Sequence, residues 1–314
     1  MKLNGIHHIT AITENGQANV DFYAGVMGLR LVKKTVNQDN PSVYHLFFAD
    51  EKGDPGSDLT FFEFPGVPRG RAGVGMVHRI VWRVGSPDSI DFWEKRLAAN
   101  ATESERHDGR LVFEDPEGLG HELVVVETGD EPLIADHPDV PADLALQGFH
   151  AARAYSAAPD TSRALLSEGL GFEPYEDSGF SPSGNGWESR GASRGGLWAY
   201  DEPPSEHGLQ GAGSVHHIAW ASEIDDHQAW RERVIEAGAD PTPVIDRFYF
   251  KSIYFREPSG VLFEIATNGP GFTVDEDVEH LGEKLSLPPD FEHLREKVEP
   301  NLRPIANPRV AGRS

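Results

Sequence analysis

Apolar and polar positions alternate along this chain in short runs, and the runs fall into four sets of the same order. Each set opens on a strand-like stretch, continues into an amphipathic stretch of helical spacing, and closes on two or three further extended runs set off by turn residues. The first set reads "HHITAI", a helix over "ANVDFYAGVMG", then "LRLVKKTV", "VYHLFFAD" and "SDLTFFEF". The second reads "VHRIVWRV", a helix over "SPDSIDFWEKRLAA", then "GRLVFEDPEG" and "HELVVVE". The third reads "GFHAARAY", a helix over "DTSRALLSEGLG", then "FEPYEDS" and "GGLWAY"; the fourth reads "VHHIAWAS", a helix over "DDHQAWRERVIEAG", then "FYFKSIYFREPSG" and "VLFEIAT". Ser86 and Pro87 start the second helix and Gly238 stops the fourth.

The pattern predicts an α+β chain of four βαβββ modules. One such unit cannot cover both faces of its own sheet, so the modules are expected to pair into larger half-barrel sheets. The acidic, Pro-rich stretch 128–145 reads as a linker. It divides the chain into an N-terminal domain of modules one and two (1–135), a C-terminal domain of modules three and four (136–270) and a C-terminal tail (271–314).

Composition narrows the chemistry. A net charge of −23 repels phosphate and argues against a nucleic-acid partner. The apolar runs are too short for a membrane span and the first residues, "MKLNGIHHIT", lack a secretory apolar core, so a cytoplasmic protein with no membrane partner is expected. With no cysteine, any metal must take nitrogen and oxygen ligands.

Aligned on their first strands, the modules carry His7–His8, His78–Arg79, His150–Ala151 and His216–His217. Only the outer modules keep an imidazole at the second position. Neighbours on a regular strand face opposite ways, so the second residue of each pair is assigned to the inner face, which Thr10 and Ala219 share. In the last strands Glu264 and, at the matching place in module two, Glu122 stand inside apolar runs, where a carboxylate needs a partner. Glu63 lies out of register, and Thr60, Phe61 and Phe62 hold the matching place in module one. The two HH pairs are therefore expected to converge on one site of His8, His217 and Glu264. Arg79, Ala151 and Glu122 form its counterpart, with Arg79 paired to Glu122. Two imidazoles and one carboxylate leave open positions on a metal, the ligand set of non-haem Fe(II) oxygenases. His78 and His150 are read as structural, and His45, His107, His121, His227 and His280 as surface, packing or turn residues.

The segments "GIHHITAI", "DFYAGVMGLRLVKKTVNQD", "YHLFFADEKGDPGSDLTFF" and "FREPSGVLFEIATNGPGFTVDEDVEHLGEKLSLPP" resemble the ring-cleaving dioxygenases of the vicinal oxygen chelate (glyoxalase–bleomycin resistance) superfamily, in particular the hydroquinone-type extradiol branch. The resemblance runs over nearly the whole chain. It implies one Fe(II) held by His8, His217 and Glu264, with His7, Thr10, His216, Arg247 and Tyr254 around the reacting atoms. It also implies a hydroquinone- or catechol-type substrate opened with O2. A homo-oligomer is compatible with this reading. Where the resemblance weakens, in the Gly- and Ser-rich segment "PYEDSGFSPSGNGWESRGASRGG", a pocket rim or loop is expected. Two alternatives share the fold: a glyoxalase-like isomerase, which needs a fuller ligand set, and a non-catalytic small-molecule binder, which needs no triad.

Overall fold

The computed structural model describes residues 1–308; the last residues of the expected tail, 309–314, lie outside the described part. Four strands belong to each module. Module one gives β1 (Ile6–Thr13), β2 (Arg30–Asn37), β3 (Asn40–Ala49) and β4 (Asp58–Glu63). Module two gives β5 (Val77–Val84), β6 (Ser104–His107), β7 (Arg110–Glu114) and β8 (Gly120–Val125). Module three gives β9 (Phe149–Tyr155), β10 (Glu173–Pro174), β11 (Gly186–Arg190) and β12 (Gly195–Asp201). Module four gives β13 (Val215–Ser222), β14 (Ile245–Asp246), β15 (Lys251–Arg256) and β16 (Leu262–Thr267).

These strands make two eight-stranded sheets. One runs β14-β15-β16-β13-β1-β4-β3-β2 and the other β10-β11-β12-β9-β5-β8-β7-β6. Modules one and four thus share a sheet, as do modules two and three, and each sheet takes one module from either side of the 128–145 stretch. β1 and β13 meet antiparallel at the centre of the first sheet, and β5 and β9 at the centre of the second. The fold is the α+β architecture of paired βαβββ units.

Two of the helices follow their sequence signals closely. Pro87–Ala99 starts where the Ser86 side chain accepts the Ser89 N–H, and it buries Ile90, Trp93 and Leu97 on one face. His227–Glu236 ends just before Gly238, whose φ of 87° turns the chain out of the helix. In modules one and three the helical stretch is looser. Gly16–Val20 runs on into a π-helical turn, Asp21–Val26, and module three has only Pro159–Ser162 and Leu165–Gly169.

Alternation along the central strands divides the side chains between two environments. Ile218 and Trp220 of β13 enter the main core, whereas His217 and Ala219 belong to the opposite, inner face of the sheet. That inner face is lined by Phe47, Tyr249, Phe250 and Phe272, among others. The tail is tied to it from behind. Lys33 on β2 is fully buried, and its Nζ donates to the Phe272 carbonyl (3.1 Å), to Asp275 Oδ1 (2.7 Å) and to Glu276. The same ammonium lies 4.9 Å from the centre of the Tyr249 ring. The Gly- and Ser-rich segment of module three forms turns and β11 in the second sheet and does not line the inner face of the first.

Candidate metal centre

Both HH pairs sit on β-bulges. In the β1–β13 ladder Ile6 faces Trp220 and His8 faces Ala219, so His7 is an extra residue; Thr10 faces His217 and Ala11 faces Val215, so His216 is another. A bulge breaks strict alternation, and both rings of each pair stay in contact. His7 Nδ1 is 2.9 Å from His8 Nδ1, and His216 Nδ1 is 2.8 Å from His217 Nδ1. The expectation that the first histidine of each pair points away from the site is corrected on this ground. The second sheet repeats the bulges, with His78 and His150 as the extra residues.

Among the described residues the only cluster of three or more potential metal ligands is His8, His217 and Glu264. All three are buried. His8 Nε2, His217 Nε2 and Glu264 Oε2 form a triangle with edges of 3.3, 3.2 and 2.9 Å. Three donors about 2.1 Å from one ion would be separated by about 3.0–3.4 Å. Although two imidazole nitrogens lie this close, Glu264 Oε2 makes no hydrogen bond of acceptable geometry among the described residues. Its other oxygen, Oε1, accepts from Ser252 Oγ at 2.5 Å.

The tautomers explain why. His7 Nε2–H donates to the Thr267 carbonyl at 3.0 Å. A neutral His7 then has its lone pair on Nδ1 and accepts the His8 Nδ1–H, which leaves a lone pair on His8 Nε2. Burial, followed by the neighbouring His8, pushes the His7 pKa down to about 3, so neutrality is its stable state. A lone pair, a second imidazole and a buried carboxylate oxygen crowded within hydrogen-bond distance repel one another unless a cation joins them. The donor set fits a divalent metal.

The triad opens on a cavity of about 410 Å³. Phe47, Phe62, Phe250 and Leu262 give it apolar walls, and His45, His216, Arg247 and Tyr254 bring polar atoms into it. Tyr254 on β15 lies opposite Glu264 on β16, with its ring 5.6 Å from that of His217. Arg247 Nε donates to Tyr254 Oη at 3.4 Å, while its two terminal nitrogens bind Asp39 at 3.1 and 3.0 Å. Burial raises the Tyr254 pKa, helped by Glu264, so this phenol keeps its proton at neutral pH. Thr10 is fully buried and bonds Thr60 Oγ1 at 2.9 Å, and Thr60 in turn bonds His45 Nε2 at 2.8 Å.

Sequence reasoning overlooked His45, Asp39 and Phe250. His45 was expected at the surface, in packing or in a turn, and it lines the cavity. A usable signal was present: "VYHLFFAD" alternates, which puts His45 and Phe47 on the same face of β3. His121 and His227 are buried within the fold, with His121 held between Tyr23 and Trp82. In the second sheet Glu122 pairs with Arg79 at 3.4 Å, as expected, and also with Arg110 at 2.9 Å.

A buried two-histidine, one-carboxylate centre on paired βαβββ modules defines a metal-site class within this fold. The chain belongs to the Glyoxalase/Bleomycin resistance protein/Dioxygenase superfamily, whose profile matches residues 5–123 and 148–265. It is 43% identical to the Bacillus subtilis protein named "Putative ring-cleaving dioxygenase MhqO", over 97% of each chain. It is 33% identical to the chlorohydroquinone/hydroquinone 1,2-dioxygenase of Sphingobium indicum, over 98% of each. A Bacillus subtilis crystal structure described as a "putative dioxygenase" superposes with a TM-score of 0.88, at 41% identity and 98% coverage of both chains. Glyoxalase I of Zea mays, 13% identical with a TM-score of 0.57 over 84% of this chain and 92% of its own, shares the fold.

Proposed function

We propose that this protein is a non-haem Fe(II) dioxygenase that opens a hydroquinone- or catechol-type ring with O2, with His8, His217 and Glu264 as the iron ligands. The observation that carries the reading is the buried triangle of three donors, one of them a carboxylate oxygen without a hydrogen bond, at the end of an aromatic-lined cavity of about 410 Å³. Iron bound there supplies a Lewis acid that lowers the pKa of a phenolic hydroxyl, together with open positions for the ring oxygen and O2.

The chain's own residues do the rest. Phe62 and Phe250 flank the ring and exclude water from the reacting atoms. Tyr254, kept protonated, donates a hydrogen bond to the substrate oxygen on which negative charge develops. Arg247, anchored on Asp39, orients that phenol through its Nε. His7 and His216 hold the proton on the Nδ1 of each ligand imidazole and so keep both Nε2 lone pairs directed at the metal. The isomerase reading needs a fourth protein ligand. Thr10 aligns with Thr60 as Ala219 aligns with Glu264, so the place of that ligand is taken by a threonine hydroxyl already bonded to Thr10 and His45.

The test is anaerobic loading with iron, followed by oxygen-electrode traces on hydroquinone, methylhydroquinone and catechol. Stoichiometric O2 uptake with loss of the aromatic absorbance is expected for at least one of them. No uptake with any ring, from protein carrying a full complement of iron, refutes the reading.

A further inference from the structure

The inner face of module one carries a hydrogen-bonded series that the roles above do not use. Thr10 Oγ1, Thr60 Oγ1 and His45 Nε2 are joined at 2.9 and 2.8 Å. The series starts at a residue opposite His217 in the ladder and ends at a ring that lines the cavity. His45 is held firmly, with its ring 3.9 Å from Phe47 and 4.4 Å from Phe62, centre to centre. Only one of its nitrogens is engaged. Among the described residues Nδ1 has no protein partner, and it is not sealed in the interior. A half-buried imidazole clamped between two aromatic rings, with one nitrogen satisfied and the other free at a cavity wall, is prepared to bind something in that cavity.

We propose that His45 is a substrate-binding residue: its Nδ1 holds the hydroxyl of the aromatic substrate that lies away from the metal centre, and Thr60 and Thr10 fix the orientation of the ring from behind. The inference rests on the function proposed above and names the contact that reads the substrate's second oxygen. Arg247 also reaches the cavity, but its terminal nitrogens are held by Asp39 and its Nε by Tyr254. His45 keeps one ring nitrogen to spare at the cavity wall, on a ring held by Thr60 and by the rings of Phe47 and Phe62. Burial keeps its pKa well below the ordinary value, so it meets the hydroxyl as a neutral ring that can accept or donate as Thr60 adjusts. A site that hydrogen-bonds a hydroxyl discriminates against the ligand that lacks it, because the site's own polar atom is then left unpaired.

Two substitutions separate the two nitrogens. In His45→Gln the side-chain amide reaches Thr60 in place of Nε2 but leaves the Nδ1 position empty. In His45→Asn the amide occupies the Nδ1 position and loses Thr60. Anaerobic calorimetric titration of the iron-loaded proteins with hydroquinone and with phenol, which lacks the second hydroxyl, measures the contact without turnover. Wild type is expected to bind hydroquinone about 10-fold more tightly than phenol. His45→Gln should lose that preference by weakening hydroquinone alone, and His45→Asn should keep most of it. Iron content should stay unchanged in both. Equal weakening of the two ligands in His45→Gln, or a wild type without preference, overturns the inference and leaves the dioxygenase reading standing. A wild type that binds neither ring overturns both.

Discussion

The second sheet carries the plan of the first with its chemistry replaced. At the four central bulges the extra residue is histidine every time: His7 and His216 in one sheet, His78 and His150 in the other. The next residue is His8 and His217 in the first sheet but Arg79 and Ala151 in the second. The last-strand positions hold Thr60 and Glu264 in the first and Glu122 and Ala199 in the second. The carboxylate survives in both sheets, with opposite partners. Glu264 faces two imidazoles and has an oxygen left over; Glu122 is saturated by the guanidinium groups of Arg79 and Arg110. His78 differs from its counterparts too, since it bonds Asp201 at 2.8 Å and stacks on Tyr155 at 3.9 Å. The backbone geometry common to both sheets creates a place for ligands, and the residue after the bulge decides whether a cation is already built in.

This contrast is open to direct attack, and the largest effect is expected at the triad. His8→Ala, His217→Ala and Glu264→Gln should each lose bound iron and turnover together, by 100-fold or more on the order of what loss of supporting contacts already costs a metal site. Metal analysis of the wild type should give one iron per chain. A chelator-resistant value near two would place a second ion in the other sheet and sink the distinction. Next comes Tyr254→Phe, which keeps its iron and slows turnover roughly 10- to 1000-fold. Loss of iron in this variant would make Tyr254 a ligand, and an unchanged rate would reduce it to packing.

Glu122→Gln should leave iron and turnover nearly intact while lowering stability by about 1–3 kcal/mol, since two partly exposed arginines lose their buried counter-charge. Urea midpoints beside activity assays decide this; a variant that loses iron at unchanged stability would exchange the roles of the two glutamates. The smallest effect is a slope. His121 in the second sheet accepts from Trp82 Nε1 through Nδ1 at 3.1 Å and donates from Nε2 to Tyr23 Oη at 2.9 Å, so it has no room for a second proton. Burial pushes its pKa down to about 3 from an unfolded value of 6.5. A depressed folded pKa stabilises fully above the unfolded value, and the contribution is lost as pH falls from 6.5 towards 3, by up to about 1.4 kcal/mol per pH unit. In metal-free protein His121→Gln should flatten that acid limb relative to wild type. Identical slopes would mean that the folded protein protonates His121 freely.

Much of this arrangement could be read in the chain, for reasons that are local. The period of the apolar runs gave the modules, and comparison of equivalent positions separated Glu264 from Glu122 and narrowed the matching place in module one to Thr60, Phe61 and Phe62, of which the ladder register selects Thr60. Pairing of modules one with four followed from asking which imidazoles could share a carboxylate. The bulges were beyond reach, because an inserted residue in a ladder depends on the partner strand and leaves no mark on composition. That is why His7 and His216 were expected to point away from their neighbours. Arg110 reaches Glu122 across the neighbouring strand, Asp39 meets Arg247 208 positions away, and the clasp of Lys33 on the tail joins residues 242 positions apart. Such contacts follow from the closed sheet and have no periodic signature of their own.

His8 and His217 lie 209 residues apart, and that separation has a bearing on biosynthesis. A growing polypeptide presents its first imidazole 256 residues before its carboxylate. Until the last module has closed against the first, no fragment owns the full donor set. An ion that needs all three donors is therefore captured only after the fourth module has been made, and products that lack that module are spared it.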